Sequence, residues 1–121
     1  MPPVTSNLSI HGSVRLTEEQ ILLRDAVRVL ADDQVGPRAA EIDRAGEWPE
    51  DMRRLLADHD ILAIPCAERH GGLGGDLLTL CLAIEQVSRH CATTGLILAV
   101  QSLGAIPIQV AGGMEGRVLR D

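Results

Sequence analysis

The chain has 121 residues, 45% of them apolar and 23% charged, with a net charge of −6. That balance suits one soluble domain with a single core, without the second and third layers of a large enzyme carrying its own cofactor domain. Trp48 is the sole aromatic residue and all eleven cations are arginine, which excludes base-stacking platforms, a Walker-type lysine loop and a lysine Schiff base.

Residues 1–15 read as a loose N-terminal arm, with Pro2, Pro3, Thr5, Ser6 and Asn7 but no apolar run of signal-peptide length. Thr17-Glu18-Glu19-Gln20 is a capping box, in which the Thr hydroxyl accepts from the Gln20 N–H while the Gln side chain reaches back. A helix is expected from there, burying Leu23, Val27 and Leu30 with Leu22 and Ala26 and ending at Gly36-Pro37. Pro37 then opens a second short helix through Ile42 to about Ala45-Gly46. Trp48-Pro49 opens a third, with Met52, Leu55 and Leu56 as its apolar stripe. The short apolar run over residues 61–65 is expected as an extended connector, and Gly71-Gly72-Leu73-Gly74-Gly75 as a flexible loop.

Asp76 is placed to cap the next helix, which is apolar on most sides over residues 77–87 and is therefore expected at the centre. Residues 91–114 hold no charge at all. Gly95, Gly104 and Pro107 divide them into an expected helix over 94–103 and a short segment over 106–110. A further helical turn starts near Met114, and the sequence stops at Asp121 in mid-pattern, as expected of a cut chain. The sum is an all-α, up-and-down bundle of about five to six helices filling residues 16–121.

Several residues invite chemistry. The glycine loop suggests a phosphate cradle, but a dinucleotide fingerprint needs a third glycine where Leu77 stands, and Asp76 would repel an anion. Cys66, His70, His90 and Cys91 lack the paired spacing of a zinc site, and Cys81 suits packing as a small hydrophobe. Three cysteines without paired spacing fit free thiols in a reducing compartment, which places the protein in the cytoplasm. Glu85 interrupts an apolar helix; it is either a structural acid paired with Arg89 or a general base. The charge-free run over 91–114 is long enough to cross a bilayer, but Gln101, Ser102, Gln109 and Pro107 dilute it and no aromatic belt flanks it. A core helix pair is favoured. With no basic run, nucleic acid is not expected as a partner.

In order, Leu16-Thr17-Glu18-Glu19-Gln20, the segment from Pro37 to Asp43, Trp48-Pro49, and Glu68-Arg69-His70-Gly71-Gly72-Leu73-Gly74 resemble the N-terminal helical domain of the acyl-CoA dehydrogenase family. The helix carrying Ala83, Ile84, Glu85, Gln86 and Val87, then Thr94-Gly95, and then Ser102-Leu103-Gly104-Ala105-Ile106-Pro107-Ile108 continue the match. The chain departs from the family pattern at Ala67-Glu68-Arg69-His70, where Pro-Glu-Glu-Tyr is common.

The resemblance implies a three-part subunit: this helical domain, a middle β-domain and a C-terminal helical domain. It implies FAD-dependent removal of hydrogens across the α,β-carbons of an acyl-CoA thioester, with electrons leaving through an electron-transfer flavoprotein. It further implies that the catalytic base and main flavin contacts lie in the later domains. This segment would contribute part of the acyl-chain pocket through Leu96, Ile97, Val100, Gln101 and Ser102, in a homo- or hetero-oligomer, and would not be competent alone. No catalytic, metal-binding or cofactor-binding residue is expected within it. The rival reading is a non-catalytic helical interaction module that pairs with separate subunits; a membrane-associated helical protein is a further rival.

Overall fold

The computed structural model describes residues 15–111, and every regular element among them is helical. Helix α1, Glu18–Leu30, starts at the expected capping box: the Gln20 N–H donates to Thr17 Oγ1 at 3.1 Å, and the Thr17 N–H to Gln20 Oε1 at 2.9 Å. Its inner stripe passes through Gln20, Leu23, Val27, Leu30 and Ala31. Leu22 and Ala26, expected in that stripe, face outward instead, with Leu22 69% exposed. The buried positions step by three and four from Gln20, which leaves 22 and 26 on the far side of the helix.

The stop expected at Gly36-Pro37 does not form. Helix α1 runs into a π-helical turn, Ala31–Val35, and straight on into α2, Gly36–Ala45. Gly36 keeps right-handed helical geometry, with φ −53 and ψ −48. A proline inside a helix lacks an N–H and crowds the carbonyl one turn back, and the wider π turn accommodates both. The rod ends only at Gly46, whose φ of 62 lets its N–H reach the Ile42 carbonyl at 3.3 Å.

Helix α3, Glu50–Asp58, follows Trp48-Pro49 as expected and buries Met52 and Leu56. The connector expected as extended is instead a 3-10 turn, Ile61–Ala63. Its tight winding places Ile61 and Ile64 on one side, and both are buried in the core. A second such turn, Glu68–His70, leads into the glycine segment.

Helix α4, Leu77–Ser88, is capped by Asp76, which accepts from the Thr79 N–H at 2.8 Å. It packs between α1 and the last helix, α5, and buries Leu80, Ala83 and Val87. Its remaining sides are more open than its composition suggests, since Leu77 is 69% exposed and Cys81 is also exposed. Helix α5, Ala92–Ala111, is one continuous helix where two segments were expected. Pro107 removes a single rung, to the Leu103 carbonyl, near an end of the helix where Leu103 and Val110 are already exposed. The described residues thus form four helical rods, the first being α1 with α2, against the five to six expected.

Leu56, Ile64, Leu98, Val35 and Val87 form the fully buried centre, each contributing about 1.5–3 kcal/mol by leaving water. Helices α4 and α5 approach closely because Gly95 has no side chain: a Cβ there would lie 2.0 Å from Ser88 Oγ and 3.1 Å from Ser88 Cα. By length and composition α5 is able to span a bilayer, with 28% of its most apolar stretch buried within the fold. The N-terminal arm through residue 14 and the turn expected near Met114 lie outside the described residues.

Candidate functional site

Four of the five α5 residues singled out in the sequence come together in one groove. Leu96, Ile97, Val100 and Gln101 line an open cavity of about 330 Å³ with Thr93, and Glu47, Trp48 and Pro49 line it from the segment before α3. Positions 93, 96, 97, 100 and 101 share a helix face, so the 3.6-residue period builds one wall of the groove. Ile97, 5% exposed, is the groove's tie to the core, whereas Leu96, Val100 and Trp48 are 61%, 52% and 62% exposed.

Ser102, the fifth residue, does not reach the groove. It lies about 200° round the helix from Val100. It is buried, and its hydroxyl donates to the Leu98 carbonyl at 3.1 Å.

The Trp48 indole is held in place. Its Nε1–H donates to Glu50 Oε2 at 2.9 Å. Glu50 also accepts from Arg53, at 2.6 Å from one terminal guanidinium nitrogen, and pairs with Arg54 at 3.5 Å. The hydrogen bonds from Arg53 and then Trp48, with the nearby positive charges, hold the Glu50 carboxyl down to about 2. Trp48 also lines a second cleft of about 170 Å³ that includes Arg38, Glu41 and Asp51. There Arg38 grips Asp51 through two bonds of 2.8 and 3.2 Å and holds its carboxyl below the usual aspartate range. The indole therefore stands between an apolar groove and a charged one.

The glycine segment, expected as a flexible loop, is instead tied down along its length. Leu73 N–H donates to the Ala63 carbonyl at 3.0 Å, Gly74 N–H to Cys66 at 2.8 Å and Gly75 N–H to Ile64 at 2.7 Å. Gly72 donates to the Ala67 carbonyl at 3.1 Å. These are the amides that a phosphate cradle would need, and they are already engaged. A cavity of about 360 Å³ does open beside the segment, between the N-terminal ends of α1 and α4. It presents Glu19 and Asp76, and the hydroxyl and N–H of Thr79 hold the Asp76 carboxyl below its ordinary value, so an anion would meet negative charge there.

The other candidates separate. Among the described residues no group of three His, Cys, Asp or Glu side chains is arranged to hold a metal ion. His90 pairs with Asp32 at 2.5 Å, buried Cys91 accepts from Thr94 Oγ1 at 3.2 Å, and burial pushes the Cys66 thiol up. Cys81 is exposed rather than packed as a small hydrophobe. Glu85 is exposed as well, so the premise of a buried acid fails. Its expected partner Arg89 donates instead to Gln86 Oε1 at 3.2 Å, an oxygen that also accepts from Arg28 at 3.0 Å. Gln86 faces inward, one position round from Glu85, and takes both arginines.

The model of the acyl-CoA dehydrogenase N-terminal domain matches residues 17–117. The chain belongs to the acyl-CoA dehydrogenase family. It is 37% identical over 101 residues to a probable acyl-CoA dehydrogenase of Bacillus subtilis, a match covering 83% of this chain and 27% of that protein. It is 39% identical over 87 residues to the short-chain-specific acyl-CoA dehydrogenase of Clostridium acetobutylicum, covering 72% and 23%. With the cyclohex-1-ene-1-carbonyl-CoA dehydrogenase of Syntrophus aciditrophicus it shares 39% identity over 97 residues, covering 80% and 23%. The chain spans about a quarter of the length of these acyl-CoA dehydrogenases.

In the sequence Trp48 stands only as the opener of a helix, and nothing local marks Glu47, Pro49 or Thr93 as groove residues. The available signal was that the one aromatic side chain sits just ahead of the α3 stripe rather than within it.

Proposed function

We propose that this chain serves as the N-terminal helical segment of a flavin-dependent acyl-CoA dehydrogenase and that its α5 groove receives part of the acyl chain. The observation carrying this is the groove itself. Exposed Leu96, Val100 and Trp48 form an apolar surface that the rest of the described fold leaves open to solvent, in a chain that belongs to the acyl-CoA dehydrogenase family. Such a slot favours an alkyl chain by about 0.8 kcal/mol for each methylene it takes from water. Thr93, Gln101 and Glu47 add polar groups to its lining and limit how much apolar surface it offers.

The reaction of such an enzyme removes a proton and a hydride from adjacent carbons of the acyl thioester. FAD is proposed as the cofactor, with electrons passing to an electron-transfer flavoprotein. The described residues do not fit the flavin: the glycine-segment amides are engaged by carbonyls, and the neighbouring cavity is acidic. No step through the flavin is therefore assigned to this segment, and we propose that by itself it does not turn over. The three free thiols support a reducing, cytoplasmic setting.

The test is calorimetry of the 121-residue chain with butyryl-CoA and with free coenzyme A. Tighter binding of the thioester, lost in Val100→Asp, is the expected result. Equal affinity for the two would overturn the acyl assignment, and reduction of an electron acceptor by the chain alone would overturn its incompetence.

A second reading, a helical interaction module pairing with separate subunits, is favoured by Leu103 and Val110. These are 69% and 82% exposed on α5, outside the groove. A strictly monomeric chain at high concentration in sedimentation would count against self-association through these residues and against the proposed homo-oligomer.

A further inference from the structure

Trp48 lies in the groove wall that precedes α3, which no helical period places, and three observations bear on it. It is the only aromatic side chain in 121 residues, and it is 62% exposed rather than used in the core. Its ring is latched: Nε1–H donates to Glu50, whose carboxylate is itself clamped by Arg53, while buried Pro49 stiffens the backbone beside it. It also borders two cavities, the apolar groove of about 330 Å³ and the charged cleft of about 170 Å³ holding the Arg38–Asp51 pair.

An exposed ring held rigidly between an apolar slot and an ion pair acts as a partition. On the α5 side it offers carbon to an alkyl chain. On the other it keeps that chain from the Arg38 guanidinium and the Asp51 carboxylate, which lose hydration if an apolar group is pushed against them. The groove is at the lower end of the range for small-molecule pockets, and the indole bounds it on the side of the charged cleft.

We propose that Trp48 is a specificity-determining residue that limits the groove to small acyl groups, so that short-chain thioesters are preferred to longer ones. This rests on the acyl-chain reading above and adds to it which residue sets the size limit. An acyl group that extends past the slot on the Trp48 side displaces the indole, breaking its bond to Glu50, or projects into the charged cleft.

The experiment measures affinities of butyryl-CoA and octanoyl-CoA for the full 121-residue chain by calorimetry, with Trp48 emission followed in parallel. The absence of any other tryptophan or of tyrosine assigns that emission to this one site. In the unaltered chain the shorter thioester is expected to bind about tenfold or more tighter, in line with the discrimination that pockets achieve per methylene, and to shift the emission. Trp48→Ala is expected to collapse the ratio to below about threefold, whereas Trp48→Phe, which keeps a ring in place, retains most of it. A merely structural role would weaken both ligands together and leave the ratio unchanged. Circular dichroism of each variant guards against loss of fold, and the phenylalanine variant keeps the test open should the alanine variant unfold.

If neither thioester binds the unaltered chain, the acyl-chain reading itself falls. If they bind while Trp48 emission stays still, or while Trp48→Ala preserves the ratio, the acyl reading stands and the role given to Trp48 is wrong.

Discussion

The Gln20 side-chain amide donates to Thr79 Oγ1 at 3.3 Å, joining the first turn of α1 to the first turn of α4 across 59 positions of sequence. The same amide closes the α1 capping box through its oxygen, and Thr79 in turn donates to Asp76 at 2.7 Å. Two helix starts are thereby joined by one set of groups, of which Gln20 and Thr79 are buried, each 9% exposed. A local capping signal has become a tertiary bond.

Removing one member of that set should leave others unpaired. Gln20→Ala is expected to destabilise the chain by about 1–3 kcal/mol, the cost of orphaned buried polar groups. A double-mutant cycle with Thr79→Val, read by urea unfolding, should show coupling of about 0.5 kcal/mol or more. Strict additivity would mean that the bond across the helices contributes nothing.

Two glycines of α5 should respond oppositely. Gly95→Ala forces a methyl into Ser88 and is expected to cost about 1–3 kcal/mol by overpacking. Gly104→Ala meets nothing within 4 Å and should stabilise by about 0.5–1 kcal/mol through helix propensity. Thermal melts of the two variants decide it; a shift in the same direction for both would refute the close packing of α4 on α5.

Gly72→Ala should be more damaging than either. Its Cβ would fall 2.1 Å from the Cys66 carbonyl oxygen, which belongs to rigid backbone rather than to a side chain that swings away. Loss of about 3 kcal/mol or more is expected, read by chemical denaturation. Phosphate or pyrophosphate should not protect the unaltered chain, since the segment's amides are already engaged.

Acid should act through Glu50. Its folded-state value is lowered from 4.5 to about 2, so the unfolded chain binds the proton more readily. The stabilisation is present above about pH 4.5 and is lost as pH falls toward 2. Glu50→Gln should flatten this part of the stability–pH curve, and Trp48 emission should shift as the indole loses its charged acceptor. An unchanged acid limb in the variant would assign the effect to Asp51 and Asp76, whose carboxyls are also held low.

Much of the helical framework was legible because its signals are local. Thr17, Asp76 and Gly46 act within one turn: the first two start a helix and the third ends one, as their chemistry requires. Gly36-Pro37 misled for the same reason: a rule for a break within four residues does not register that Ala31 and Val35 are both buried, which holds the rod together through a π turn. Pro107 misled likewise, because a lost rung near an exposed helix end is tolerated.

The groove was half visible. The resemblance grouped Leu96, Ile97, Val100 and Gln101 with Ser102, and the period of α5 was the signal that separates Ser102 from the rest. Trp48 could not be placed, because nothing in its own neighbourhood states that α5 lies opposite.

What the residues determined by themselves was the all-α class, the cap positions and the acyl-CoA dehydrogenase relationship, all carried by short-range patterns and their order. Tertiary structure alone decided that Trp48 and Val100 line one groove, that the glycine amides are engaged, and that Glu85 is exposed while Gln86 is buried. Those depend on which helix faces meet, and that is set by summed burial and close approach between segments far apart in the chain, such as Gly95 against Ser88 and Gln20 against Thr79.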